Sequence, residues 1–74
     1  MKNTIAEENN LGYIRVSVLG ISQENLAKQT GIDRRVISAI ELGDKIPSLR
    51  QAMLLSNALN YSVNDIFRLK EITM

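Results

Sequence analysis

Residues 22–41, SQENLAKQTGIDRRVISAIE, read as two short helices broken by one sharp turn at Gly31. Ser22 is a good N-cap, because its hydroxyl accepts a hydrogen bond from one of the first free N–H groups of a helix. Leu26 and Ala27 supply the apolar stripe of that helix, which runs to about Gln29. Gly31 falls where the chain must stop in a left-handed conformation, which glycine alone adopts without steric cost. Asp33 then restarts it as a second N-cap. Val36, Ile37 and Ile40 follow at helical spacing, so the second helix has one apolar face. Arg34 and Arg35 open the opposite face. Helix, tight turn and helix, with cations at the start of the second, is an arrangement suited to a DNA major groove.

The rest of the composition narrows the possibilities. A chain of 74 residues makes one small domain, which needs an organised core, a disulfide, a metal or a partner subunit. It has no cysteine and no histidine, so disulfides are excluded and a zinc site is disfavoured. Plentiful aliphatic and few aromatic residues suit a helical core. No apolar run approaches the ~20 residues that cross a bilayer, and the opening MKNTIAEENN is not a signal peptide. A cytoplasmic protein without cofactor, metal or membrane contact is the expectation. Nine basic against eight acidic residues give a net charge of +1. Net charge therefore says little about nucleic acid, but its distribution says more. Arg34, Arg35, Lys45 and Arg50 cluster in the second helix and beyond it, whereas Glu7, Glu8, Asp65 and Glu71 lie toward the ends.

Along the chain, residues 1–9 read as a flexible arm, 10–68 as the folded domain and 69–74 as a tail. Leu11, Ile14 and Val18 recur at i, i+3 and i+7, which predicts a first helix ending near Gly20. The same stretch, YIRVSV, alternates like a strand, but it has no good strand to pair with. The helix after Asp33 closes at Gly43, and Asp44 to Pro47 is a loop. Ser48 caps a fourth helix whose stripe is Leu49, Ala52, Leu55, Ala58 and Leu59. Ser62 caps a short fifth, VNDIF, with Asp65 in a capping-box position. The tail RLKEITM alternates weakly and is open between strand, arm and disorder.

Residues 20–67 resemble the Cro/C1-type (Xre) helix-turn-helix family. The likeness covers about two thirds of the chain: the S-Q-x-x-L-A opening, the T-G-I turn, V-I-S-x-I-E, the G-x-x-x-P-S loop and A-L-N-x-S-x-x-D-I-F. It implies an all-α, compact five-helix, lambda-repressor-like domain that binds double-stranded operator DNA as a homodimer and regulates transcription, most simply as a repressor. The resemblance puts the base-reading positions on Asp33, Arg34, Arg35, Ser38 and Ala39, of which Arg34, Arg35, Ser38 and Ala39 are the expected base contacts. It puts DNA-backbone contacts on Gln23, Gly43, Lys45, Ser48 and Arg50. It also implies an ion pair between Arg15 and Glu41. Here Arg15 stands one residue farther from Gln23 than the usual spacing. Either the first turn carries an extra residue near Leu19 or the pairing is lost; the joint shift of Leu11, Ile14 and Arg15 favours the insertion.

Guanidinium groups match O6 and N7 of guanine, and a bidentate contact discriminates by ~1–3 kcal/mol per base. The same groups grip phosphates without reading sequence. Asp33 reads first as a helix cap, Ser38 bonds a base edge or a phosphate, and Ala39 offers a methyl contact to thymine. Two-fold pairing doubles the readout and gives palindromic operators with half-sites ~34 Å apart. Val63, Phe67, Leu69 and Ile72, with Tyr61 and Leu54, are the apolar residues left for an interface, with Phe67 equally open to a place capping the core. Two other functions compete. Gly12 to Ser17, GYIRVS, is similar to the first strand of serine recombinases, with Ser17 as nucleophile, but such catalysis needs a much longer domain with several further arginines around the scissile phosphate, for which this chain has no room. The other is a protein-interaction module of the same fold, antitoxin-like or anti-regulator.

Overall fold

Four polar side chains start the helices. The computed structural model describes residues 3–73, and side chains from Asn9 to Arg68. Ser22, Asp33, Ser48 and Ser62 each accept a hydrogen bond from a backbone N–H in the turn that follows. They open α2 (Gln23–Thr30), α3 (Arg34–Leu42), α4 (Leu49–Leu59) and α5 (Val63–Ile66). At Ser48 the cap is a full capping box, because the Gln51 side chain also accepts from the Ser48 N–H at 3.0 Å. Gly31, Gly43 and Asn60 end α2, α3 and α4 with φ of +76°, +83° and +60°. At Gly31 an added Cβ would meet open space, so glycine is needed there for its backbone conformation alone.

The first helix, α1, departs from the regular helix expected. It opens as an α-helical turn at Leu11–Tyr13 and continues as a π-helix over Ile14–Val18, with the Leu19 N–H donating to the Ile14 carbonyl at 2.9 Å. A π-turn holds one residue more than an α-turn, and that is where the extra residue of this segment is accommodated. The wider turn carries Val18 out of line with Ile14, so Ile14 is buried while Val18 is exposed. Residues 12–18 are thus helical, and the strand that a recombinase-like reading requires does not form.

Leu11, Ile14, Leu26, Ile32, Ile37, Ile40, Ala52, Leu55, Leu59, Ile66 and Phe67 form one core, with Ala27, Val36, Tyr61 and Val63 packed partly against it. The helical domain has the five-helix architecture expected. A two-stranded antiparallel ribbon is added to it, β1 (Asn3–Asn9) against β2 (Phe67–Thr73), in a register from Asn3↔Thr73 to Asn9↔Phe67. The segments expected as arm and tail are therefore each other's partners. At the base of the ribbon the Asn10 N–H donates to the Ile66 carbonyl at 2.7 Å, and the Asn9 side-chain amide donates to the Ile40 carbonyl at 3.0 Å. The ribbon gives the molecule a long axis of 42 Å against 21 and 18 Å across.

Phe67 needs correcting. Expected in the fifth helix and at a subunit interface, it is the first residue of β2, extended at φ −123° and ψ 134°. That switch from helix to strand turns its ring into the core, where it is 8 % exposed.

Candidate nucleic-acid interface

The turn between α2 and α3 is locked by Thr30. Its buried hydroxyl donates to the Leu26 carbonyl at 2.8 Å and accepts from the Ile32 N–H at 3.1 Å. The Gly31 N–H meanwhile bonds the Ala27 carbonyl at 2.8 Å. A turn whose donors are spent internally holds the next helix at a fixed angle. Ile37 and Ile40 then face the core from α3, while Arg34 and Arg35 stand exposed at its first turn and Ser38 and Ala39 are half-buried beyond them. Arg35, Ser38 and Leu42 lie at i, i+3 and i+7, one stripe of the helix. Leu42 is 73 % exposed at the C-terminal end of that stripe. The sequence reading stopped at Ala39; extending the helical wheel by three residues finds it.

Three helices are tied behind this face. Arg15 Nε donates to Glu41 Oε2 at 2.6 Å, its Nη2 donates to Glu41 Oε1 at 3.1 Å, and its Nη1 donates to the Ile21 carbonyl at 2.9 Å. The Gln23 amide nitrogen donates to Glu41 Oε1 at 3.0 Å. Arg15 lies within the π-helix, and its pair with Glu41 is kept. The hydrogen bond to Glu41 raises the Arg15 pKa above its ordinary value, against the opposing pull of burial.

The helix-turn-helix family profile matches residues 13–66, which contain all of α2, the Gly31 turn and α3. The chain is a helix-turn-helix protein of the Cro/C1 type. It is 40 % identical over 52 residues to the uncharacterized HTH-type transcriptional regulator YgzD of Bacillus subtilis, covering 70 % of this chain and 79 % of that protein. An uncharacterized HTH-type transcriptional regulator of Methanocaldococcus jannaschii is 38 % identical over 60 residues, or 81 % of this chain and 89 % of that one. A third, from Methanothermobacter thermautotrophicus, is 43 % identical over 54 residues, covering 72 % and 78 %.

Around the helix-turn-helix the expected backbone-contacting residues fall into two groups. Lys45 and Arg50 are exposed cations on the loop after α3 and the first turn of α4. Ser48 accepts from the Gln51 N–H at 3.1 Å, which leaves its hydroxyl proton to donate elsewhere. Gln23 gives one amide proton to Glu41 and retains the second. Gly43 is a correction. Its single donor bonds the Ile40 carbonyl at 3.0 Å, and the N–H groups of Asp44 and Lys45 turn back to the Ala39 carbonyl. Gly43 therefore closes α3 and has no proton left for a phosphate. Asp33 and Asp44 are the acids beside these cations; hydrogen bonds from Arg35, its backbone N–H first, lower the Asp33 pKa.

Of the expected interface residues, Val63 is half-buried against the core, and Leu69 and Ile72 lie on β2 outside the described side chains. Large apolar side chains are instead bare at Ile46, Leu49 and Met53, which are 73 %, 76 % and 55 % exposed. Leu49, Met53 and Leu54 line an open groove along α4. Among the described residues no helix is long and apolar enough to cross a membrane, and no three acidic groups gather as a metal site would require.

Proposed function

We propose that this DNA-binding transcription regulator is a repressor that binds a palindromic operator as a dimer, with α3 in the major groove. Arg34 and Arg35 carry the reading: two exposed guanidinium groups at the first turn of a helix whose other face is anchored in the core. Arg34, Arg35, Ser38 and Ala39 contact bases, and Gln23, Lys45, Ser48 and Arg50 hold phosphates. A protein seated across a promoter excludes polymerase, which makes repression the simplest outcome. It acts in the cytoplasm, with the DNA it binds. In a fluorescence-anisotropy salt series on a duplex selected from a random pool, affinity falls steeply with added salt by counterion release. Lys45→Ala weakens all duplexes alike and lowers the salt slope by about one, whereas Arg35→Ala relaxes preference at one or two positions. A salt-independent affinity defeats the proposal and favours a protein-interaction module, the reading supported by a net charge of only +1 and by the bare apolar side chains.

The second copy pairs through Ile46, Leu49 and Met53, with the exposed part of Val63. An isologous contact uses each residue twice. At ~1.5 kcal/mol or more per buried leucine, Leu49→Lys is expected to weaken self-association at least about a hundredfold, read by sedimentation velocity. An unchanged association constant moves the interface elsewhere.

A further inference from the structure

Asp33 does more than cap α3. Its Oδ1 accepts from the Arg35 N–H at 2.8 Å, and the same oxygen lies 3.4 Å from Arg35 Nε. Both side chains are open to solvent, at 55 % and 84 % exposed. A pair so exposed contributes little to stability, so its consequence lies in where it points the guanidinium. The capping bond fixes the Asp33 side chain, and the fixed carboxylate engages Arg35 at Nε. That contact biases Arg35 away from the side-on fork, Nε with one Nη, and toward the end-on fork of the two Nη groups. Guanine O6 and N7 accept two parallel N–H bonds from such a fork. The carboxylate also carries the charge sign of the phosphates into the duplex surface, which disfavours the alternative in which Arg35 swings onto the backbone.

We propose that Asp33 is a positioning residue for sequence recognition, holding Arg35 end-on toward a guanine and weakening attachment to non-cognate DNA. The proposal rests on the reading of α3 as the base-reading helix. Serine is as good a cap as aspartate, so Asp33→Ser keeps the fold, and Asp33→Asn keeps both cap and acceptor oxygen without the charge. The probes are a duplex selected from a random pool by the wild-type chain, its single-base variants and an unselected duplex. With Asp33→Ser the melting temperature is expected to stay within a few degrees. Preference for guanine at the position relaxed by Arg35→Ala falls about fivefold or more, and affinity for the unselected duplex rises. Asp33→Asn lowers the guanine preference by less, and raises affinity for the unselected duplex about as much, because both changes remove the charge. If Arg35→Ala leaves every base preference intact, the reading of α3 fails and this proposal with it. If Arg35→Ala abolishes a guanine preference that both Asp33 variants retain, the role of Asp33 alone is overturned. Loss of preference at a different position in Asp33→Ser also overturns it, since Asp33 then reads its own base.

Discussion

Replacing Glu41 by alanine is expected to lower the unfolding free energy by about 3 kcal/mol, within the range for breaking a largely buried charge pair. The Arg15 and Glu41 side chains are only 13 % and 11 % exposed. Without the carboxylate, Arg15 keeps the Ile21 carbonyl as its one acceptor, and the Gln23 amide loses its partner. A domain of 74 residues has a total stability of about 4–11 kcal/mol, so the loss is a large share of it. The melting temperature falls by about 12–24 °C. Glu41→Gln keeps an oxygen for the guanidinium and loses less. Arg15→Ala combined with Glu41→Ala costs less than the sum of the two single changes, because each alone strands a charge. The sign of the pH dependence follows from Arg15. A group whose pKa is raised on folding stabilises fully below its unfolded value, so this contribution is constant through neutral pH and is lost only in strong alkali. Denaturant melts of the four variants measure all of this. A loss below about 1 kcal/mol would mean that the pair behaves as an exposed one.

Ile37→Ala is expected to cost about 2–5 kcal/mol, and Ile37→Val about 0.5–1.5 kcal/mol. Ile37 is fully buried at the middle of α3 and seats that helix on the core. Removing it leaves a void behind the helix that bears Arg34 and Arg35, yet it touches nothing on the outward face. Stability should therefore drop while base preference, measured at a temperature where the variant is still folded, stays as in the wild type. Calorimetry with the same duplex panel separates the two. Equal losses of stability and selectivity would show that α3 shifts in its seat, and a cost under about 1 kcal/mol would show that the cavity collapses.

What the sequence discloses here is what depends on near neighbours. The caps at Ser22, Asp33, Ser48 and Ser62 and the turn at Gly31 involve residues within three or four positions of one another, so residue type and spacing suffice to find them. Fold and helix order followed from those signals and from the family resemblance they carried. The π-turn left a trace only as an off-by-one spacing between Arg15 and Gln23; whether the chain bulges or abandons the pair depends on Glu41, twenty-six residues away. The ribbon was out of reach for the same reason, since neither NTIAEEN nor FRLKEIT is a convincing strand until the other lies beside it. Phe67 stayed open between core and interface because its direction turns on the change from helix to strand at that residue. At Gly43 the motif does not disclose that the backbone proton is already committed to the Ile40 carbonyl.

Because Asn3 stands opposite Thr73 at the far end of the ribbon, the chain enters and leaves the domain through one doorway. Anything joined upstream of Asn3 and anything joined downstream of Thr73 would start as neighbours, at an effective concentration in the millimolar range for short flexible connections. Two weakly attracting appendages would meet there without help from the helices. A reporter split between the two ends would reassemble on folding and come apart as the ribbon frays.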